Sequence, residues 1–526
     1  MKKFFTSVAL ALALSTMSAN AENYNCPLTI SMSGVDMPVG NIDVTVEKQD
    51  NGNYTLKLLN FDMAGQMPVG NIIVTDVEPT TCGNTIMLNA QKTIQITAGE
   101  DRTDESGDPV EWMGPNLGDV NILFKGQLKD NDFKALLNIP VAGSLIVGVK
   151  LGDNASNICQ LPGSDFEEFH TATYNTSTSS EPNGWHSFMS ATGKLTSFVS
   201  SVTHTWESTD VRTNAESGST KCVKVASSAV LGQSANGTIT TGRLNANNIF
   251  ASHSSNCSSL DLSSTELDGN GDPFYAVLNN KPDSIKVWVK FHAGTKNKHP
   301  QASLSALLTN GEYAQDPENN TYAANILARA SKTDIATSDE WQLISVPFTY
   351  GENNETPKGA LVTLSTCATP SGGSTSDTDP DVLYVDDVEL VYNAGFKSIK
   401  FNGEEISDKF DEYGSWENDD YTQSISLDNF TIETDGAGAF VTKKVYSDDD
   451  STYASFTVTS NDLKNSVVRT ITFPNATTAI KSATTTTANG VQAIYNLAGQ
   501  QVNSMTSGKV YIVKTTDGQT KKIIKK

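Results

Sequence analysis

Short runs of alternating apolar and polar residues, separated by turn-forming residues, make up most of this chain. Alternation with a period of two is typical of β-strands, because successive side chains point to opposite faces of a sheet. Eight such runs occur before residue 160: Leu28–Ser33, Asn41–Glu47, Tyr54–Phe61, Asn71–Val77, Thr85–Ile96, Val120–Leu128, Phe133–Ile139 and Ser144–Leu151. The segment Asp50–Asn53 between two of them has the composition of a hairpin turn. Residues 22–160 therefore predict an up-and-down barrel, since closure of the meander leaves no exposed strand edge.

A six-residue pattern occurs twice in this segment. Met37–Ile42 and Met67–Ile72 both have the sequence Met-Pro-Val-Gly-Asn-Ile. Proline fixes one backbone angle and glycine permits a positive φ, so both are common where a chain changes direction. We interpret the repeat as two similar corners that lead into strands, and not as a ligand motif.

Residues 161–393 form the longest stretch of short strands, and Leu161–Ser164 is interpreted as the linker that leads into it. Its clearest strand is Ile285–His292, which has an apolar residue at every second position. The predicted core face carries Ile285, Val287, Val289 and Phe291. The opposite face carries Lys286, Trp288, Lys290 and His292. A tryptophan among cationic side chains is unusual for pure packing, so these four residues are candidates for ligand binding. The structural alternative is that a loop or a neighbouring domain covers the tryptophan.

The remaining segments also predict β-structure. Residues 394–475 contain five further strands: Phe396–Phe401, Ser424–Leu427, Ala439–Tyr446, Tyr453–Val458 and Val467–Phe473. Five short strands are enough for a small immunoglobulin-like sandwich. Within residues 476–526, Thr484–Thr487 marks a low-complexity linker, and short strands follow it. The predicted fold class is therefore all-β, in several domains.

Two of these segments resemble known families. The meander at 22–160 resembles the calycin-like (lipocalin-like) domains of exported Bacteroidetes proteins, and this resemblance rests on its strand pattern. Residues 161–393 resemble the Bacteroidetes jelly rolls of the PCMD family, whose name records a suspected role in carbohydrate metabolism. The motifs that carry this resemblance are Asp165–Phe169, Glu181–Trp185, Gly271–Phe274 followed by Lys281-Pro282, Ile285–Phe291 and Leu383–Leu390. It implies a jelly-roll β-sandwich that is related in layout to glycan-binding modules.

The two ends of the chain predict export. Residues 1–21 have the basic start, the short apolar Phe4–Leu14 and the Ala19–Ala21 cleavage pattern of a signal peptide. The C-terminal segment, with Gly508–Tyr511 and the basic end Lys521–Lys526, resembles the sorting domain of the type IX secretion pathway. The alternative for this segment is a β-rich tail with a solvated lysine cluster. We expect the protein at the cell surface, in the outer membrane or outside the cell, with the secretion machinery as a partner and no transmembrane span.

Charge and cysteine spacing exclude several classes of function. The formal net charge of -23 argues against a nucleic-acid partner, which would need a basic stripe. The six cysteines lack C-x-x-C spacing, which argues against a zinc ribbon or a thioredoxin-type site. Cys26, Cys82 and Cys159 are expected at one end of the barrel, where Cys159 could form a disulfide that ties down the tail. Free thiols and a bridge between domains are the other possibilities.

No catalytic residue is assigned from the sequence. The serine-elbow, zinc-helix and phosphate-loop motifs are all missing from the printed chain. A glycosidase needs only two opposed carboxylates, but neighbours such as Asp386 and Asp387 point to opposite faces of a strand. A catalytic pair would therefore come from separate strands, which leaves a glycoside hydrolase as an alternative.

Aromatic residues give the strongest argument for binding, because a flat ring can stack on the C–H face of a sugar. Trp185 and Trp206 are candidates besides Trp288, whereas Trp341 is interpreted as structural because it precedes a strand that alternates into the core. The leading hypothesis is an exported protein that binds an oligo- or polysaccharide. The alternatives are an enzyme that acts on glycosides in the same cleft, and a structural or adhesive surface protein.

A structural Ca²⁺ is the expected cofactor. Modules with the implied jelly-roll layout hold calcium between their first and last strands, where Asp165, Glu167 and Asp387 lie here. Carboxylates and carbonyl groups are the ligands that Ca²⁺ prefers. Asp268–Asp272 resembles the start of an EF-hand loop, but Asn279 stands where that loop needs its glutamate, so we interpret it as a turn.

Overall fold

The computed structural model describes residues 21–525, apart from 33, 64–66, 104–106, 143–144, 201, 203–204, 214–217, 422, 449, 475–490, 497–500, 503–504, 508 and 516–519. The predicted signal peptide, apart from Ala21, and the threonine run lie outside the described residues. Strands dominate what is described, which confirms the all-β prediction. The helical pieces are one α-helix, α1 (Thr196–Val199), and the 3-10 turns Gly114–Leu117, Ala155–Asn157, Phe188–Ser190, Ala323–Asn325, Ser407–Lys409 and Leu427–Asn429. No described helix has the length and apolar character needed to cross a membrane.

The N-terminal segment is a curled, nine-stranded antiparallel sheet. Its strands are β1 (Ala21–Met32), β2 (Val35–Lys48), β3 (Tyr54–Met63), β4 (Met67–Val77), β5 (Pro79–Cys82), β6 (Thr85–Gln95), β7 (Asp119–Lys129), β8 (Asp132–Ala142) and β9 (Leu145–Leu151). Neighbours along the chain pair with each other, except β4 and β5, which are the two edges of the sheet, and β1 also pairs with β9. Asn71 and Thr97 exchange backbone hydrogen bonds beside the seam between β4 and β6. The eight predicted strands are present, and the short β5 is an addition.

The concave side of this sheet is filled by its own side chains. The largest fully buried ones are Phe61, Phe124 and Phe133, with Leu58, Ile72 and Leu88 around them. An irregularity in β3 between Leu58 and Phe61 breaks the period of two and brings both side chains to this face. The interior of the barrel is therefore occupied by the side chains of its own strands.

The central segment is a two-sheet sandwich with several small additions. Its strands are β10 (Phe169–Tyr174), β11 (Ser177–Pro182), β12 (Thr205–Ser208), β13 (Cys222–Ala226), β14 (Ser228–Val230), β15 (Gln233–Ala235), β16 (Thr238–Thr240), β17 (Arg243–Asn245), β18 (Cys257–Leu260), β19 (Ala276–Val277), β20 (Ser284–His292), β21 (Gln301–Thr309), β22 (Ala314–Asp316), β23 (Ile326–Ala336), β24 (Ser338–Pro347), β25 (Thr349–Tyr350), β26 (Gly359–Ser365) and β27 (Val382–Val391). One sheet has the order β12-β13-β27-β20-β24, and the facing sheet has the order β16-β26-β21-β23-β25. Apolar side chains from both sheets form one buried core between them.

The barrel and the sandwich pack tightly against each other. Met87 of β6 shares a buried cluster with Tyr275 and Leu307 of the sandwich. The buried Lys125 of β7 donates a hydrogen bond to Asn280 Oδ1, and burial lowers the pKa of its ammonium group. Both domains belong to one compact unit, which comprises residues up to 417 with 425–446 and 453–472.

Two smaller sheets follow the sandwich. Their strands are β28 (Phe396–Phe401), β29 (Glu404–Glu405), β30 (Ser415–Glu417), β31 (Phe430–Thr434), β32 (Phe440–Ser447), β33 (Ser451–Thr459) and β34 (Ser466–Pro474). The strand predicted at Ser424–Leu427 is wrong, because Ser426 caps the 3-10 turn Leu427–Asn429 with its side chain. Residues 418–424, 447–452 and 473–526 form a second unit. It contains a four-stranded sheet of β35 (Val491–Asn496), β36 (Gln501–Val502), β37 (Val510–Thr515) and β38 (Thr520–Ile524).

All six cysteines are buried free thiols. The predicted disulfide at Cys159 is therefore wrong. Burial raises the pKa of Cys26, Cys82 and Cys159 to about 11, and that of Cys222 to about 12. Each thiol belongs to a packed interior, such as Cys82 in the cluster between the barrel and the sandwich.

Candidate functional site

Strand β20 has the two faces that its sequence predicts. Ile285, Val287, Val289 and Phe291 are completely buried in the sandwich core. Lys286, Trp288 and Lys290 are half-buried on the outer face, and His292 is exposed. β20 lies next to the edge strand of its sheet, between β27 and β24. Its outward side chains therefore have neighbours on both sides.

A row of alternating aromatic and lysine side chains crosses the outer face of this sheet. Trp206 of β12 is paired with Lys224 of β13, which is paired with Tyr384 of β27, which is paired with Lys290 of β20. Trp341 of β24 completes the row on the far side of Lys290. We call Trp206, Lys224, Tyr384, Lys290 and Trp341 the aromatic row. All five side chains are half-buried.

Each lysine of the aromatic row lies between two rings. Lys224 Nζ is 5.5 Å from the ring centre of Trp206 and 5.9 Å from that of Tyr384. Lys290 Nζ is 4.6 Å from the ring of Tyr384 and 5.8 Å from that of Trp341. These distances are within the range of cation–π attraction. Burial and the nearby Asp210 raise the pKa of Tyr384, so its hydroxyl is a neutral donor and acceptor at physiological pH.

Trp288 is the outward-facing residue of β20 that precedes Lys290, and its environment differs from that of Lys290. The guanidinium of Arg212 lies 4.6 Å from the centre of its ring and also pairs with Asp386 and Asp387. A β-bulge in β27 produces this arrangement, since Lys286 pairs with Glu389 and Trp288 with Asp386. Burial raises the pKa of Asp386, although Ser219 and Arg212 act against this. One face of the indole is thus already covered by Arg212.

Lys286 and Trp288 line a cleft of about 720 Å³ between the barrel and the sandwich. The barrel contributes Lys129 and Lys134, and the linker contributes Asp165. Other carboxylates on the walls are Asp272, Asp387 and Glu389. Lys290 and His292 lie outside the cleft lining, where they pair with Asp210 and Asp379 respectively. The predicted binding face is therefore divided between the cleft and the open sheet.

The three predicted calcium ligands do not come together. The Glu167 carboxylate accepts hydrogen bonds from the backbone N–H groups of Thr220 and Lys221, and Asp387 pairs with Arg212. Among the described residues, Asp165, Glu167 and Asp387 do not form a group whose ligand atoms converge. The predicted neighbourhood of the first and last segments is present, because Val388 N donates to Ser164 O. The prediction that their carboxylates converge is wrong in this structure, and calcium binding itself stays a prediction.

Trp185 is a core residue and not a binding platform. Its side chain is fully buried, its indole Nε1 donates to Pro162 O at 2.9 Å, and its ring lies 5.2 Å from that of Phe166. Trp206 remains a candidate because it belongs to the aromatic row. Trp341, interpreted as structural from the sequence, lies instead on the outer face beside Lys290.

Sequence reasoning missed Tyr384, Lys224 and Arg212. Alternation along Leu383–Leu390 would have placed Tyr384 on the outer face, since Leu383 and Val385 are buried. No sequence signal predicts that β13 and β27 bring Lys224 beside it, because 160 residues separate the two positions. The aromatic row is a product of the sheet order.

Comparisons with known proteins agree with the N-terminal architecture. Residues 21–150 match the family model of the calycin-like β-barrel domain. The N-terminal domain is calycin-like. No curated protein matches the chain.

The similarity of this chain to solved structures is weaker than its match to the calycin-like family model. A proposed glycoside hydrolase from Bacteroides vulgatus is 17% identical, with a TM-score of 0.31, over 43% of this chain and 96% of that chain. A proposed glycoside hydrolase from Bacteroides thetaiotaomicron is 11% identical, with a TM-score of 0.28, over 60% of this chain and 89% of that chain. These scores are too low to establish a shared fold or function.

Proposed function

We propose that this protein binds glycans on the outer face of its five-stranded sheet. The observation that carries the proposal is the aromatic row, which presents three rings with a lysine between each pair. A sugar ring can stack its C–H face on an aromatic side chain, and the neighbouring ammonium groups can donate hydrogen bonds to its hydroxyls. Neither interaction requires a charged ligand.

The spacing of the rings fits an extended oligosaccharide. Trp206 and Tyr384 are two strands apart in the sheet, as are Tyr384 and Trp341. Strands lie about 4.8 Å apart, so successive rings are roughly 10 Å apart, which is about the length of two sugar units. The aromatic row would therefore contact a segment of about four sugars along roughly 20 Å.

Catalysis in the adjoining cleft is the second candidate. Asp165, Asp272 and two residues of β27, Asp387 and Glu389, come from three separate segments and line a cleft that also contains Trp288. Two opposed carboxylates are the minimum that glycoside hydrolysis requires. The pairing of Asp387 with Arg212 engages one of these four, so binding is the function that the geometry favours.

A glycan-array screen of the mature protein, followed by an assay for released reducing ends on each retained glycan, tests these two candidates together. Retention without new reducing ends supports the binding proposal. Release of reducing ends would support the hydrolase, and failure to retain any neutral glycan would contradict the binding proposal.

We also propose that the protein is exported and displayed at the cell surface. The support for this is the sequence pattern of residues 1–21 and of the C-terminal segment. Removal of residues 490–526 should leave the protein in the periplasm, as fractionation would show. Normal surface levels of the shortened protein would contradict the role of this segment.

A further inference from the structure

A buried group of two histidines and two carboxylates lies in the sandwich, apart from the aromatic row. His170 of β10 is paired directly opposite Glu181 of β11 in a hairpin. His186 follows this hairpin and is held by reciprocal backbone hydrogen bonds with Thr240. Asp268 begins the turn Asp268–Asp272, which its own carboxylate stabilises. We call His170, Glu181, His186 and Asp268 the buried cluster.

The ligand atoms of His170, Glu181 and Asp268 all lie within 4.8 Å of one another, and His186 approaches this group beside Asp268. Asp268 Oδ2 is 3.3 Å from His170 Nε2 and 3.4 Å from His186 Nε2. His170 Nε2 is also 3.8 Å from Glu181 Oε2. In a tetrahedral zinc site with bonds of about 2.0–2.1 Å, neighbouring ligand atoms lie about 3.3–3.4 Å apart. The separation of Asp268 Oδ2 from His170 Nε2 matches that geometry, and the separation of His170 Nε2 from Glu181 Oε2 is longer.

Four polar atoms of the buried cluster have no hydrogen-bond partner in the protein. They are His170 Nε2, both ring nitrogens of His186, and Asp268 Oδ2. The side chain of His170 is 9% exposed, and those of Glu181, His186 and Asp268 are 0% exposed. Buried polar atoms are normally paired, so a concentration of unpaired atoms that point toward one another requires an explanation.

The surrounding hydrogen bonds turn the free lone pairs inward. His170 Nδ1 is 3.2 Å from Asn183 Oδ1, an acceptor, so the proton lies on Nδ1 and the Nε2 lone pair points toward Asp268. Glu181 Oε1 accepts from Ser187 N at 2.7 Å, and Glu181 Oε2 accepts from Ser190 Oγ at 3.0 Å. An imidazole nitrogen and a carboxylate oxygen approach this closely when a proton or a metal cation lies between them.

Backbone N–H groups fix the position of the Asp268 carboxylate. Asp268 Oδ1 accepts from Asn270 N at 2.9 Å and from Asp272 N at 2.8 Å. Glu181 is surrounded by the donors of Ser187 and Ser190. Imidazole and carboxylate groups are both ligands of divalent transition metals.

We propose that the buried cluster binds one divalent transition-metal ion, for which Zn²⁺ is the best match. The donors are His170 Nε2, Glu181 Oε2 and Asp268 Oδ2, and His186 lies beside Asp268. Mixed imidazole and carboxylate donors suit zinc, whereas calcium takes six to eight oxygen ligands. Three protein ligands leave the fourth position of a tetrahedral zinc site to a water molecule or another ligand.

The metal would hold one wall of the cleft in place. Gly184 lies between Glu181 and His186 and donates its N–H to Asp272 Oδ2 at 3.1 Å. Both Gly184 and Asp272 line the cleft, and Asp268 Oδ1 accepts from Asp272 N at 2.8 Å. A metal at the buried cluster would therefore link the hairpin β10–β11 to the turn Asp268–Asp272.

The test is the metal content and thermal stability of the full-length mature protein. After expression with added Zn²⁺ and dialysis against metal-free buffer, mass spectrometry of the elements should find about one zinc per chain. Treatment with a strong chelator should remove it and lower the melting temperature, and Zn²⁺ should restore both, because a ligand bound only by the folded state stabilises it. Mn²⁺ and Ca²⁺ serve as competing metals.

Two variants locate the metal. Asp268→Asn and His170→Asn should reduce bound zinc at least tenfold and abolish the effect of the chelator on melting. Asp261→Asn is the matched control, because Asp261 also accepts a backbone hydrogen bond in a turn, from Ser263 N at 2.9 Å, but lies outside the buried cluster. The control should retain its zinc.

The wild-type protein decides the outcome even if a variant fails to fold. Less than a tenth of an equivalent of any of the three metals, together with melting that does not respond to chelator, would overturn the proposal. Zinc retained in full by folded Asp268→Asn would overturn it as well. Neither result depends on glycan binding, so the two proposals can fail separately.

Discussion

Trp185 and Trp206 lie in the same domain but have opposite environments. Trp185 is completely buried beside Phe166, whereas Trp206 is half-buried on the outer face of the sheet. Removing a large core side chain loses its packing and leaves a cavity. Trp185→Ala should therefore lower the free energy of unfolding by about 3–5 kcal/mol. Trp206→Ala should lower it by about 1 kcal/mol or less, since little of its packing is lost. Urea denaturation measures both, and an equal loss in the two variants would contradict the assignment of Trp206 to a binding surface.

The buried thiols make a second prediction at this scale. Because burial raises the pKa of Cys26 to about 11 and that of Cys222 to about 12, almost no thiolate is present at pH 8. Native protein should therefore react with a thiol reagent at least tenfold more slowly than unfolded protein. Unfolded, unreduced protein should show all six thiols of the sequence. A titre of four would reveal a disulfide and contradict the structure.

Individual residues also show where the sequence is insufficient. Alternation along Ile285–His292 correctly separates buried from outward side chains, because burial on one face is a local property of a strand. Trp185 could not be placed in this way, since it follows β11 in a turn-rich segment without alternation. His170 and His186 are 16 residues apart, and only the hairpin and the distant turn at Asp268 bring them together.

At the level of elements, the repeated Met-Pro-Val-Gly-Asn-Ile pattern produces the same irregularity twice. In β2 the pairing to β1 shifts between Pro38 and Gly40, and in β4 the pairing to β3 shifts between Pro68 and Gly70. Both glycines have a φ near 120°. The repeat was expected to form corners that lead into strands, and each is a β-bulge within a strand. A bulge increases the local bend, which helps this sheet to curl.

These two glycines differ in one respect that can be tested. A Cβ on Gly40 would meet nothing within 4 Å, whereas one on Gly70 would lie 2.2 Å from Thr97 O at the seam. In both variants the alanine must adopt a positive φ, which lowers the free energy of unfolding by about 1–2 kcal/mol. Gly70→Ala should cost roughly 1–3 kcal/mol more, because the seam must also move. Equal melting temperatures for Gly40→Ala and Gly70→Ala would show that the seam does not depend on this close contact.

At the level of the whole molecule, the strand content and the calycin-like barrel are predictable because each depends on short-range patterns. The sheet order of the sandwich is not, since β13 pairs with β27 across 155 intervening residues. The aromatic row and the buried cluster both depend on such distant pairings. The assembly of the two candidate sites therefore cannot be predicted from the sequence alone.

The central claim is that the aromatic row contacts glycan, and Tyr384 at its centre is the most direct test. The measurement is the Kd for the glycan best retained in the array, by calorimetry, for wild type, Tyr384→Ala and the control Tyr413→Ala. Tyr413 is 83% exposed and lies outside the sandwich, so its loss should leave the Kd unchanged. Tyr384→Ala should weaken binding about tenfold or more, because a stacked ring contributes on the order of 1–1.5 kcal/mol. A Tyr384→Ala protein that melts like wild type and binds the glycan with unchanged Kd would contradict the account.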